Sequence, residues 1–173
     1  MLGALCLASA SAWARQANEP DELRALEASI RGQLEQHGER VMGKDAYRWS
    51  TRLDTLSACR ATLVETVTIN VGELITRRNE VTVPLGKIGQ SRIEPDNNWL
   101  VLICLEHERC IFIDSTCTKT TKQGVTVDCS SPGGTRQEEF HLQLDRSAAA
   151  AKQLEGDFRR TVELCQAPAL AVY

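Results

Sequence analysis

Two thiols flank an imidazole in Cys104-Leu105-Glu106-His107-Glu108-Arg109-Cys110, the densest run of reactive side chains in the chain. Zinc takes sulfur and nitrogen ligands, so Cys104, His107 and Cys110 are where a metal site or thiol chemistry would be sought. A structural zinc site needs four ligands and the segment offers no fourth; moreover Cys104 sits in an apolar run whose packing fixes the direction of its side chain. Other constellations are weaker. Ser130-Ser131, Asp114 and Asp128 have no histidine at a recognisable spacing and no nucleophile elbow. The acids Glu106, Glu108, Glu138 and Glu139 alternate with basic residues, as solvated turns and strand ends do, instead of marking two walls of a cleft. Gly133-Gly134 follows Pro132 without the strand-to-helix setting of a phosphate loop. His37 continues an apolar helical stripe and has no partner in phase, which reads as packing. No cofactor and no catalytic residue is expected.

The 173 residues are 42% hydrophobic and 25% charged, enough for one domain with a core. A formal charge of −3, from 20 Lys+Arg and 23 Asp+Glu, advertises no nucleic-acid partner. The one Arg/aromatic cluster, Tyr47-Arg48-Trp49 with Arg52, reads better as an anchor of the first helix on a sheet. No run approaches the length of a membrane span. Met1 to Ala14 is uncharged and ends in Ala12-Trp13-Ala14, a small-x-small pattern, although no basic segment precedes it. Residues 1–14 therefore read as a secretory signal peptide with cleavage before Arg15, and the compartment as periplasmic or secreted. Bulky Leu5 before Cys6 argues against a lipid anchor.

Removing Cys6 with that segment leaves Cys59, Cys104, Cys110, Cys117, Cys129 and Cys165. An even count in an exported chain favours disulfides, and six cysteines allow 15 pairings that sequence alone leaves open. Strand and helix phases lean towards Cys59 with Cys165, and the positions of Cys117 and Cys129 flanking the long polar loop lean towards a bridge that closes it. Cys104 and Cys110 are then left to pair across their own hairpin or to remain buried thiols.

The elements follow from periodicity. Pro20-Asp21-Glu22 opens a helix of about 20–41, with Leu23, Leu26, Ile30 and Leu34 on one stripe. Residues 15–52 are this helix and its connection, and 53–165 form one β-rich domain. Cys59 to Val71 alternates as a half-buried strand in which Glu65 breaks the phase, a position for a bulge. Val81, Val83 and Leu85 alternate in a strand that Pro84 assigns to an edge or bends. Ser91–Ile93, the turn 94–98 and the doubly buried run Trp99–Leu105 precede Cys110–Asp114, which makes a three-strand meander. Ser115 to Arg136 is a long polar loop or protruding hairpin. After a strand at Phe140, Leu142 and Leu144, Asp145 is placed to cap a helix of about 146–165 whose apolar face is Ala148, Ala151, Leu154, Phe158, Val162 and Cys165. Residues 166–173 are a tail.

The expected class is α+β: an N-terminal helix, an antiparallel meander or partly open barrel of six or seven strands, and a capping amphipathic helix. In strand count, meander order and terminal helix, Ala58 to Cys165 resembles pleckstrin-homology-like domains. That resemblance implies a partly open barrel plugged by Ala148 to Cys165 and used as a binding scaffold. The basic phosphoinositide loop of such domains is not recognisable, since Arg77-Arg78 is a lone pair.

The functional expectation is an exported, disulfide-stabilised binding or interaction domain for a protein or ligand, without a catalytic site. Its binding loop would be Ser115–Arg136, with Lys119, Lys122 and Arg136 as positive tips. The alternatives are a thiol- or metal-dependent enzyme at Cys104/His107/Cys110 and an inhibitor of a secreted hydrolase. For the exported protein, intact mass without reduction is expected to begin at Arg15 and to be lighter by two hydrogens for each bridge. Alkylation of Cys104 and Cys110 would overturn that expectation.

Overall fold

Alternating apolar and polar residues along 47–84 build three long antiparallel strands, and these organise everything else. The structure, a computed structural model, describes residues 21–35, the backbone of 39–42, and residues 47–70, 72–96, 99–144 and 147–167. Residues 1–14, His37, Asp145 and the tail beyond Ala167 lie outside the described residues. Helix α1 covers 21–35. It is followed by β1 (Glu39–Met42), β2 (Tyr47–Ser57), β3 (Arg60–Asn70), β4 (Leu74–Pro84) and a 3-10 turn at Leu85–Lys87. Next come β5 (Ile88–Ile93), β6 (Leu100–Cys104), a second 3-10 turn at Leu105–His107 and β7 (Ile111–Thr120). The chain ends in β8 (Thr126–Asp128), β9 (Thr135–Gln137), β10 (Glu139–Leu142) and α2 (Ala148–Gln166).

Among the described residues the strands form two antiparallel sheets. One has seven strands in the order β1-β2-β3-β4-β7, with β8 and β9 both pairing the far side of β7; the other is β10-β6-β5. The α+β class holds, and the sheets do not close into a barrel. The two sheets and both helices share one apolar core. It contains Leu53, Leu63, Val81 and Ile111 from the large sheet, Leu100, Leu102 and Leu142 from the small one, Ile30 and Leu34 from α1, and Leu154 and Phe158 from α2. As the apolar run suggests, β6 is buried on both faces, with Leu100, Val101 and Leu102 fully enclosed.

Several local expectations change. The first helix is described over 21–35 and has given way to strand by residue 39, and 39–42 and 47–57 are strands, so Trp49 is a buried strand residue instead of part of a connection. The meander is broken: β6 pairs β5 and β10, whereas β7 crosses to the large sheet and pairs β4. Pro84 does not mark an edge, since β4 lies between β3 and β7. It ends the strand just beyond the last β7 pair, Thr82 with Phe112, where no ladder bond to a neighbouring N–H is needed. Glu65 carries no bulge, for β3 pairs regularly through it on both sides. The irregularity lies on β2 between Leu53 and Thr55. There Arg31 donates to the carbonyls of Leu53 (2.7 Å) and Asp54 (3.1 Å), so α1 satisfies backbone acceptors on a stretch that β1 does not reach. The N-cap of α2 is Ser147, whose hydroxyl accepts from the Ala150 N–H. Ala148, one residue into the helix, is exposed.

Helix α1 is tied to α2 by polar contacts above the shared core. Ser29 and Gln33 both donate to Asp157 at 2.7 Å, and Arg160 grips Glu22 through two nitrogens, which holds the Glu22 carboxyl below its usual range. The other end of α2 is fixed covalently. Cys165 is bonded to Cys59, which sits in the two-residue turn between β2 and β3 instead of on the strand. A turn of that length demands left-handed backbone at both central residues, and here they are Ala58 (φ 46°) and Cys59 (φ 56°), neither of them glycine or asparagine. The Leu85 N–H donates to the Cys59 carbonyl at 2.8 Å, and together with the bridge this keeps the strained turn in place. A left-handed alanine is disfavoured by about 1 kcal/mol or more. Ala58→Gly is therefore expected to raise stability by about 1 kcal/mol in urea unfolding with the bridges intact, less the extra chain entropy of glycine. A loss of stability would show that the turn is not strained.

Candidate functional site

The alternation of β7 puts Ile111, Ile113 and Cys117 towards the interior and Phe112 and Asp114 outwards. Phe112 is one of the few large apolar side chains left open, at 37% exposure. Its neighbours follow from register: Thr62, Thr82, Phe112 and Arg136 lie in one row across β3, β4, β7 and β9, with Arg60 and Pro84 in a row beside it. One side of the Phe112 ring is covered by the backbone at Gly134. A Cβ there would stand 2.2 Å from Cζ of the ring and 2.9 Å from the Ile113 carbonyl oxygen, so only glycine lets the chain enter β9 at this point.

Around this row opens a groove of about 630 Å³, lined by Arg60, Pro84, Lys87, Arg109, Phe112 and Arg136 and also by Glu108 and Cys110. A second groove of about 550 Å³ continues from it along Thr135 to Glu139 and shares Arg109 and Arg136. Lys87 faces Glu108 at 3.5 Å. Glu138 is held by His107, and Glu139 by His141 at 3.1 Å. Arg60, Arg109 and Arg136 have no ion pair among the described residues, and all three line one open groove together with the half-exposed Phe112. Guanidinium planes recognise carboxylates and phosphates in two-point fashion and also stack on aromatic rings. The arrangement can bind an anion; it offers no nucleophile with an adjacent base.

The groove is held by the corner where the chain changes sheets. Cys104 and Cys110 are bonded to each other across the 105–109 segment, in which Glu106 (φ 51°) and His107 (φ 58°) are both left-handed. The Cys104 N–H donates to the Glu138 carbonyl at 2.9 Å, where β9 gives way to β10. The bridge corrects the metal and thiol reading of this hairpin. Both sulfurs are engaged in it, and His107 is paired to Glu138, so Cys104, His107 and Cys110 do not form a ligand set; among the described residues no group of His, Cys, Asp or Glu has the arrangement of a metal site.

The remaining sequence-derived positions are dispersed. Cys117–Cys129 staples β7 to the residue after β8, with the Cys129 N–H donating to the Cys117 carbonyl. Ser130 and Asp128 serve this turn: the Ser130 hydroxyl accepts from the Cys117 N–H and the Asp128 carboxylate accepts from the Ser130 N–H, both at 2.8 Å. The 115–136 segment is a protruding hairpin, not a loop, because β7 runs on to Thr120. Lys119 is ion-paired to Glu73 at 2.6 Å, and Lys122 occupies the exposed distal turn. Arg136 lies opposite Phe112, seven positions along β7 from Lys119, roughly 20 Å away at strand rise. Only Arg136 of the three belongs to the groove. Arg60 and Arg109 were not singled out by sequence; strand alternation places Arg60 outwards, but nothing local links it to residues 49 and 76 positions later.

A second polar cluster crosses the large sheet on its core-side face, where Thr51, Glu65, Asn79 and Ser115 stand in register. Ser115 donates to the Asn79 side-chain oxygen and Asn79 donates to Glu65, both at 2.8 Å. An amide is no general base, so Ser115 is not activated, and the row acts as a hydrogen-bonded rim of the core. Comparison with models of protein families, with characterised proteins and with solved structures returns no match.

Burial pushes the Glu65 carboxyl above its usual range, and the hydrogen bond from Asn79 only partly opposes this. The folded state thus holds the Glu65 proton more tightly than the unfolded chain, and stability declines as pH rises from the ordinary glutamate value through the raised one. Glu65→Gln removes the penalty. Its stability relative to the parent is expected to grow as pH rises above the ordinary glutamate value of about 4.3 in urea unfolding; a difference that stays constant as pH rises would contradict the account.

Proposed function

We propose that this chain is an exported binding domain without catalytic activity whose contact surface is the arginine groove, and that its ligand is anionic. One observation supports the reading above all. A chain of net charge −3 brings Arg60, Arg109 and Arg136, from three separate segments, to one groove of about 630 Å³ whose lining acid, Glu108, faces Lys87 and not the arginines. Unpaired like charges oppose one another, so their convergence on a stable fold makes sense as preorganisation for a negative partner. Three bridges that staple the corner, the protruding hairpin and α2 suit an oxidising compartment, in keeping with a signal segment at 1–14. Exposed Phe112 and half-buried Pro84 add apolar surface, which favours a ligand with carbon surface beside its negative groups.

A column of immobilised poly-L-glutamate at low ionic strength separates this groove from the distal hairpin tip. The acidic parent protein is expected to be retained and to elute with salt. Arg60→Glu, Arg109→Glu and Arg136→Glu together are expected to abolish retention, whereas Lys119→Glu with Lys122→Glu leaves it nearly intact. Unchanged elution of the triple variant would overturn the groove reading, and loss of retention in the lysine pair alone would move the site to the hairpin tip.

A further inference from the structure

The groove ends on an open strand edge. β9 pairs only with β7 and β10 only with β6, so from Thr135 to Leu142 the chain forms one continuous border of both sheets, bent at Glu138. A strand paired on one side directs about half of its N–H and C=O groups away from its ladder, and no backbone bond from another element meets the free side among the described residues. Thr135, Arg136 and Gln137 are all exposed. The second groove, of about 550 Å³, follows this border and joins the first through Arg109 and Arg136. Its lining residues thus run consecutively along a free edge, from Thr135 to Glu139.

Resting on the anionic reading of the groove, we propose that the ligand is an extended acidic peptide segment that adds to the free edge of β9 as a further strand. Main-chain hydrogen bonds to the edge supply sequence-independent affinity, while alternate side chains of the incoming strand fall on the outer face. On that face Arg136 and Arg109 receive its carboxylates. The charge reverses along the edge: Arg136 marks the β9 end, and Glu138 and Glu139, already paired with His107 and His141, mark the β10 end. The acidic residues of the segment accordingly belong opposite β9, with neutral residues beyond the bend. Like charges across neighbouring strands are unfavourable, which excludes a uniformly acidic strand over the whole border. The edge in the free protein is protected from self-pairing by the same charges and by its bend.

The test uses the full oxidised chain with a synthetic peptide of alternating Glu and Val over its first half and alternating Thr and Val over its second. Binding is read by titration and by amide hydrogen exchange, with inorganic tripolyphosphate as a competitor that engages only the arginines. The proposal expects slowed exchange at 135–142, competition by tripolyphosphate, and on the order of tenfold weaker binding for Arg109→Glu with Arg136→Glu. It also expects on the order of tenfold weaker binding when alternate peptide nitrogens on the pairing side are methylated, which removes main-chain donors without altering charge. Equal affinity of the methylated peptide, with no protection at 135–142, would overturn strand addition and leave the anionic groove standing. Indifference of both peptide and tripolyphosphate to the arginine substitutions would overturn the groove itself. Protection of the edge by a Lys-for-Glu version of the peptide at equal affinity would overturn the acidic identity of the segment. Both arginines are exposed, and an unchanged circular dichroism spectrum and urea-unfolding midpoint show that the variant remains folded.

Discussion

The chain passes between its two sheets at Leu85–Lys87, at 105–109 and at Glu138, and the last two crossings meet at one corner that rests on the Cys104–Cys110 bridge. On one side of it β6 becomes β7; on the other β9 becomes β10, and the Cys104 N–H joins the two crossings through the Glu138 carbonyl. The β6–β7 and β9–β10 segments are thus one folded antiparallel ribbon, its inner halves belonging to different sheets. Two consecutive left-handed residues, Glu106 and His107, make the short connection possible and are unfavourable on their own. A covalent bond six residues in span offsets that cost at the place where it arises. Arg109 and Cys110 project from this connection, so the same constraint that lets the sheets share a core also aims a guanidinium at the groove.

A second constraint works at the opposite end of the large sheet. Cys59–Cys165 closes a span of 106 residues, for which the chain-entropy model gives a stabilisation on the order of 5 kcal/mol. It ties the last turn of α2 to a tight turn whose residues disfavour the required backbone. With Arg31 from α1 covering the irregularity of β2, both helices act on the β2–β3 hairpin, one by covalent linkage and one by hydrogen bonds to exposed carbonyls. Arg60 begins β3 immediately after that turn. Its position in the groove is therefore set from the helical side of the molecule, while Arg109 and Arg136 are set from the corner.

The electrostatic arrangement follows from this division. Most charges elsewhere are matched locally: Arg31 with Glu27, Lys119 with Glu73, Arg160 with Glu22 and Glu163. Such exposed pairs contribute little to stability individually, but they leave little residual field. The three groove arginines are the contrast, and a local positive surface in an acidic chain is recognisable only when neutralised pairs are set aside. Net charge alone conceals it.

Periodicity and composition determined the α+β class, the buried character of β6, the apolar face of α2 from Ala151 to Val162, and an even set of cysteines with a leaning towards the pairs found. These are legible because alternation at two or at three and four residues is a property of adjacent positions, and it survives without knowledge of partners. The strand at 47–52 escaped notice because Arg48, Ser50 and Arg52 alternate with only one large buried residue, Trp49, and because its pairing with β3 supplies what its own sequence lacks. The transfer of β7 to β4 instead of β6 was equally hidden, since an apolar strand satisfies its ladder with either neighbour and the choice is made by the core as a whole. Arg136 was singled out by sequence for the hairpin tip, yet register places it at the base. Arg60, Arg109 and Arg136 come together only because β3, β4, β7 and β9 are neighbours in one order and one register, and that order is fixed by global packing and by a bridged corner, not by any spacing along the chain.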